Sequence, residues 1–375
     1  MNDITVAINI TNHDWGITIL KNGKLEDIIL EDRTSGIKYK RSFPLTSLYY
    51  LKKKYSKINT VIFITGDNDN VVDNTISELK ALQIEYDKLI IADKALHHLY
   101  HAFAGFCSSK FNEAVVLSID GFGGIQIVED KKLKKMQEGV TSTSIWEISY
   151  NKGIEKKYSK IWYLPRMTAS LPDWRIKELK DKNDEWSSTP DIGVMYYTIA
   201  NHLGFQYFHD AGKVMGLSAY GKKNNLPPFL FKNTINCNPA VFLNNFSLNT
   251  TYYPEFYYNN NLETAKNLAY SIQKSFEKVI LTRVEQALSM SNSNNLIFTG
   301  GCALNVLGNY LIKKNFPNIN LYIDPISSDA NQGLGVAKYN FYNDNGYLPK
   351  DPLNSLFLGP SYTKEEILNS IKKYA

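Results

Sequence analysis

The chain has 375 residues, 43% of them hydrophobic, and a formal net charge of +5 spread over many Lys with no long basic block. The length exceeds one ordinary core and predicts two lobes or domains, and the composition is that of a soluble globular protein with no nucleic-acid signal. No apolar run is long enough to span a bilayer, the opening MNDITVAINI lacks the basic stretch of a signal peptide, and three scattered Cys predict a reducing, cytoplasmic setting rather than a disulfide framework.

Thr5–Ile10, Trp15–Leu20 and Lys24–Leu30 read as a three-stranded antiparallel meander, with Asn22-Gly23 as its hairpin signal. The first turn carries His13 and Asp14. Such a turn can wrap a phosphate with backbone N–H groups, and an ordinary Asx turn has the same composition. Glu31–Arg41 is polar and includes Arg33 and Lys38. A helix is expected over Leu45–Lys54 after Phe43-Pro44, then a strand over Thr60–Thr65, a helix over Asp73–Leu82 and a strand over Lys88–Ala92.

The stretch Ala92–Gly124 holds His97 and His101, whose i, i+4 spacing places both imidazoles on one helix face. Two imidazoles so placed can share a metal ion, although the spacing alone also fits a core or surface accident. A zinc-protease motif is excluded, because that motif needs Glu after the first His and this chain has His98. Glu113–Ile119 reads as a buried strand delivering Asp120, followed by Gly121, Gly123 and Gly124. Gly124–Glu129 is expected to pair back as a second hairpin, which repeats the opening meander and suggests a duplicated architecture.

Lys131–Ser188 has no clear period and reads as edge strands with a long insertion. Ile192–Leu203 reads as a helix. Gly212–Leu217 follows, where Lys213 could present an ammonium to an anionic ligand. The spacing is not that of a Walker loop. Glu263–Ser289 is the longest amphipathic helix. Asn295–Thr299 is a strand running into Gly300, Gly301 and Asn305, and two glycines between strand and helix let a backbone approach a nucleotide. Ile319–Asp324 is the next strand and leads to Asp329, a further candidate oxygen ligand, then to Gly333 and Gly335 in a helix. Leu356–Gly359 is a fresh strand signal before a helix from Thr363.

Taken in order, these motifs resemble the O-carbamoyltransferases that tailor antibiotics and nodulation factors. The resemblance rests on His13-Asp14; on Glu31, Arg33 and Lys38 before Phe43-Pro44; and on His97, His98 and His101 with Asp120-Gly121. It continues through Gly212–Leu217, Gly300–Asn305 and Asp329–Gly335. It implies an α/β, duplicated actin-like fold of two lobes, each a mixed sheet with flanking helices. Residues 1–355 would form the N-terminal domain, with lobes of about 1–110 and 111–345, and residues 356–375 would begin a YrdC-like domain that is largely missing here.

The resemblance further implies a divalent metal, Fe(II), on His97, His101, Asp120 and Asp329. It implies catalytic roles for His13, Asp14 and Lys38, and binding of ATP or carbamoyl-adenylate and substrate by Arg33, Gly121, Lys213, Gly300, Gly301 and Asn305. The implied reaction moves a carbamoyl group from carbamoyl-adenylate, made from carbamoyl phosphate and ATP, to a hydroxyl of a small-molecule, sugar or nucleoside acceptor. Expected partners are that acceptor, a YrdC-like domain or separate chain, and a second copy in a homodimer, with no membrane and no nucleic acid. The alternatives are a non-catalytic nucleotide- or metal-binding module that depends on a partner, and threonylcarbamoyl transfer to tRNA. His98, Asp120-Gly121 and the lack of a basic patch disfavour the last.

Overall fold

The computed structural model describes residues 3–11, 13–37, 44–65, 70–130, 135–163, 183–187, 190–244, 247–258 and 260–374. The chain forms two compact units, Met1–Ala92 with Gln332–Ala375, and Asp93–Asn331. The expected lobes of about 1–110 and 111–345 are thus redrawn: the helix bearing the His pair belongs to the second unit, and the last helices return to the first.

Unit 1 begins with β1 (Ile4–Ile10), β2 (Gly16–Lys21) and β3 (Lys24–Leu30), the predicted meander. Asn22 and Gly23 take φ of 51° and 72° at its hairpin, the left-handed values a two-residue turn needs. A short α1 (Glu31–Ser35) is followed by α2 (Leu45–Lys54), β4 (Lys57–Thr65), α3 (Asn70–Ala81) and β5 (Glu85–Ile91). The sheet order is β3-β2-β1-β4-β5. β4 is parallel to β1 and β5 is parallel to β4. All seven residues of β1 are buried, as expected for a central strand covered on both faces.

Unit 2 contains α4 (His97–Ser108), β6 (Glu113–Ile119), β7 (Ile125–Asp130), β8 (Lys135–Ser149), β9 (Gly153–Tyr163) and β10 (Asp184–Ser187). Next come α5 (Ile192–His202), α6 (Ala211–Ser218), the small pair β11 (Phe242–Asn244) and β12 (Ser247–Leu248), and α7 (Leu262–Ser289). β13 (Asn295–Thr299), α8 (Val306–Asn315) and β14 (Asn320–Ile323) complete it. Its sheet runs β10-β9-β8-β6-β13-β14. Five of these strands, β9-β8-β6-β13-β14, repeat the order and the directions of β3-β2-β1-β4-β5. This is the duplicated, actin-like α/β fold.

Two expectations are corrected here. Gly124–Glu129 does not pair with β6. β6 and β7 lie end to end along the single long strand β8, which pairs Ile119 with its own Thr143 and Ile125 with its own Val140. The glycine turn after Asp120 is the break between them. Lys131–Ser188 also supplies more than edge strands, because β8 is an interior strand. Its pattern misleads since Thr141, Ser142, Thr143 and Ser144 are polar yet 3% exposed or less. Their hydroxyls serve buried groups: Ser142 and Thr143 donate to Asp191 at 3.2 and 2.9 Å, and Ser144 lies 3.2 Å from His98.

The core of unit 2 forms where one face of α7, including Leu268, Ile272, Phe276, Ile280 and Val284, meets Val115, Leu117 and Ile119 of β6, Leu296 and Phe298 of β13, and α5. The chain returns to unit 1 through α9 (Gln332–Asn345). There Gly333 approaches Thr18 so closely that a Cβ would lie 2.4 Å from its hydroxyl oxygen. The strand expected at Leu356–Gly359 is reduced to one rung, Ile28 N–H to Leu358 O at 2.8 Å. α10 (Lys364–Tyr374) begins with a reciprocal capping box between Thr363 and Glu366. Among the described residues no helix is long and apolar enough to cross a membrane.

Candidate metal centre

His97 opens α4 and His101 follows one turn later, so both rings emerge on one side of the helix. Asp120 sits where β6 breaks from β7, and Asp329 opens a single 3-10 turn after β14. These four side chains, all within unit 2, offer ligand atoms within 4.8 Å of one another. The two Nε2 atoms are 3.1 Å apart. His97 Nε2 is 3.3 Å from both Asp120 Oδ2 and Asp329 Oδ1. His101 Nε2 is 3.2 Å from Asp120 Oδ2 and 3.6 Å from Asp329 Oδ1.

The donor set fits a divalent ion. Bonds of about 2.0–2.2 Å from nitrogen and carboxylate oxygen set neighbouring ligand atoms roughly 3.0–3.5 Å apart, close to the spacings found. Two imidazoles and two carboxylates with no thiolate suit a first-row divalent ion. Without a cation, protons must occupy the same space. Burial works against charge on His97, but the carboxylates of Asp329 and Asp120 outweigh it and push its pKa up to about 10. His101 is also raised, with burial again opposed by Asp120 and Asp329. Burial disfavours the Asp120 carboxylate, yet hydrogen bonds from His101 and His97 hold its pKa well below the usual range. His98 behaves oppositely: burial and the charge on His97 push it down to about 3, so it stays neutral beside its charged neighbours.

Glycines bring backbone close to these ligands. A Cβ on Gly121 would lie 1.3 Å from the Tyr197 hydroxyl oxygen, and one on Gly301 would lie 2.8 Å from Asp120 Oδ1. Gly300 takes φ 84° and passes over Ile119, where a Cβ would meet its carbonyl oxygen at 2.4 Å. The Gly300-Gly301 turn therefore abuts Asp120, one of the four candidate ligands. Tyr197 on α5 lies against the same centre: burial and the negative charges of Asp120 and Asp329 raise its pKa, while the Gly121 amide hydrogen-bonds to it.

The other expected site residues belong to both units. In unit 1, His13 Nδ1 lies 2.9 Å from Asp14 Oδ2, and the turn is held by Asn9 Nδ2 donating to Asp14 O at 3.0 Å and Thr11 Oγ1 donating to His13 O at 2.9 Å. Arg33 is 82% exposed at its side chain and lies 3.8 Å from Asp32. Lys38 lies outside the described residues. In unit 2, Lys213 is 60% exposed and pairs with Asp210 at 2.9 Å. Asn305 is turned inward: its Oδ1 caps α8 through Gly308 N–H at 2.9 Å, and its amide donates to Gln273 at 2.9 Å. That placement gives Asn305 a structural task as the N-cap of α8. Sequence reasoning missed Tyr197 and Asn331. Asn331 lies two residues after Asp329, and its Oδ1 is 2.7 Å from His101 Nδ1.

Comparison with known proteins places this arrangement. Residues 68–338 match the family model described as Carbamoyltransferase N-terminus. The nodulation protein NolNO of Sinorhizobium fredii is 20% identical over 376 residues, covering 93% of this chain and 49% of that protein. An uncharacterized protein of Methanocaldococcus jannaschii is 24% identical over 343 residues, covering 87% of this chain and 55% of its own length. The chain thus spans about half the length of these relatives. The crystal structure of T. kodakarensis HypF shares the fold, with a TM-score of 0.50 at 13% identity, covering 93% of this chain and 49% of that one. With most of its length matched by that family model, the chain belongs to the carbamoyltransferase family, of which it carries the N-terminal domain.

Proposed function

We propose that this chain performs the transfer half of an O-carbamoylation, moving a carbamoyl group from carbamoyl-adenylate to an alcohol. The observation that carries the reading is the convergence of His97, His101, Asp120 and Asp329 in a member of the carbamoyltransferase family. A divalent ion bound there, Fe(II) in this reading, would supply positive charge for the negative charge that develops during acyl transfer. The Gly300-Gly301 turn, free of Cβ atoms beside the ligands, would admit the adenylate backbone-first. Lys38 would contribute a point charge to the same anion.

His13 is the proposed base. When its Nδ1–H donates to Asp14, Nε2 is the atom that would take the acceptor's proton, and the adjacent carboxylate would stabilise the imidazolium that results. In the step itself the acceptor oxygen bonds to the carbamoyl carbon and the carbon–oxygen bond to the adenylate phosphate breaks. AMP leaves, and the hydroxyl proton resides on His13. Formation of carbamoyl-adenylate from carbamoyl phosphate and ATP is assigned to a YrdC-like domain or separate chain. The acceptor is a small molecule, sugar or nucleoside hydroxyl, and the chain acts in the cytoplasm.

The test separates the two half-reactions. The purified chain is given carbamoyl phosphate and ATP, or carbamoyl-adenylate, with a panel of hydroxyl acceptors. Carbamate ester formation from carbamoyl-adenylate, with little pyrophosphate release from the first mixture, is the expected pattern. Strong pyrophosphate release by the chain alone would place the activating site within these residues. Binding of adenylate without any transfer would favour the alternative of a partner-dependent binding module.

A further inference from the structure

Behind His101 lies a buried chain of polar groups. His101 Nδ1 faces Asn331 Oδ1 at 2.7 Å. The Asn331 amide nitrogen donates to Asp324 Oδ2 at 2.6 Å and lies 3.4 Å from the Thr299 hydroxyl. Thr299 Oγ1 donates to the same Asp324 oxygen at 3.1 Å, while Asp324 Oδ1 accepts the Ile326 N–H at 3.0 Å. His101, Asn331 and Thr299 are 0% exposed and Asp324 is 2% exposed. Three elements supply them: α4, the end of β13, and the segment from β14 to the 3-10 turn at Asp329.

The directions of these bonds are set by chemistry. A carboxylate only accepts, so Asp324 takes the NH2 side of the Asn331 amide and leaves its carbonyl facing His101. A carbonyl also only accepts, so His101 must carry a proton on Nδ1, and Nε2 is left as the nitrogen that can exchange its proton for an ion. Its Nε2 is then the atom aimed at Asp120 and Asp329. Thr299, by donating to Asp324, prevents its carboxylate from rotating away. Without this chain the buried ring could adopt either tautomer or flip, and only one of those states offers a lone pair to a cation.

We propose that Asp324 and Asn331 are positioning residues for the metal centre, which hold His101 in the Nδ1–H state with Nε2 ready to bind an ion. The proposal rests on the metal reading given above, and it goes beyond it by naming the groups that make one ligand competent. Outer hydrogen-bond partners of metal-binding His typically change metal affinity by about 10–100-fold.

Co(II) binding by the full chain, followed by its visible absorption, tests both layers. Wild-type protein is expected to bind one Co(II), and Asn331→Leu and Asp324→Asn are expected to bind it about 10–100-fold more weakly. Unchanged melting of the metal-free variants would separate positioning from folding. Nitrogen-15 spectra of the Zn(II)-loaded wild type give a reading that needs no variant: the His101 Nδ1–H should be present and exchange slowly with solvent. A wild type that binds Co(II) but shows fast exchange, or variants that bind as tightly as wild type, would overturn the positioning role and leave the metal centre standing. A wild type that binds no Co(II) would overturn both.

Discussion

Protons on His97 and His101 would compete with the proposed ion, and that competition would make metal binding pH-dependent. Because Asp329 and Asp120 push the His97 pKa to about 10, binding an ion at neutral pH must expel a proton. Apparent affinity should therefore rise with pH, about tenfold per unit for each proton displaced, and level off near pH 10. Chelator-buffered titrations between pH 6 and 9 check this, and an affinity independent of pH would mean that the imidazoles are not ligands. The same shift has a sign for folding without metal. A raised imidazole value stabilises the fold fully below its ordinary 6.5, and that contribution fades as pH climbs through about 10. Glycines offer a contrast at this scale. Gly121→Ala would drive a Cβ into Tyr197, whereas nothing lies within 4 Å of a Cβ on Gly212. Thermal melts should show a loss of about 1–3 kcal/mol or more for the first. Gly212→Ala, inside α6, should be neutral or gain up to about 1 kcal/mol.

At the scale of elements, the legible parts were those whose burial is apolar and periodic. The opening meander and α7 followed from Asn22-Gly23 and from one apolar helix face. The His pair was visible as an i, i+4 spacing that also fits a core or surface accident, and the set of four side chains that the structure brings together followed only from the family resemblance. β8 was not legible, because the run Thr141–Ser144, whose hydroxyls bond Asp191 and His98, interrupts the apolar signal of its buried Val140, Ile145 and Ile148. Asp191 explains the need. It caps α5 and lies 3.7 Å from the buried ammonium of Lys160 and 4.0 Å from the Arg283 guanidinium. Burial opposes its charge, but Lys160 and Arg283 hold its pKa at about 2. Removing the charge with Asp191→Asn leaves two buried cations without their carboxylate. The expected cost is about 3–5 kcal/mol in denaturant unfolding, and a change below about 1 kcal/mol would show that those cations find other compensation.

For the molecule as a whole, the duplicated strand order was anticipated from a repeated meander, but not the way it is built. The second copy splits its first strand pairing between β6 and β7, and Asp120 stands in the gap. No periodicity signals such a break, because Asp120 and the glycines after it read equally well as a hairpin turn. The position of Asn331 was hidden for a related reason: its partner His101 is 230 residues away, and only the folded chain joins them.

The most direct measurement is AMP release from carbamoyl-adenylate, in the presence of an acceptor alcohol, as bound metal is removed and restored. The full chain, stripped with a chelator and assayed without oxygen, should lose transfer and regain it in proportion to Fe(II) bound, up to one ion per chain. His101→Ala should stay inactive at the same Fe(II) concentration. Transfer at the full rate by stripped protein, or by the His101→Ala variant with no metal bound, would contradict the assignment of this cluster as the metal centre for carbamoyl transfer.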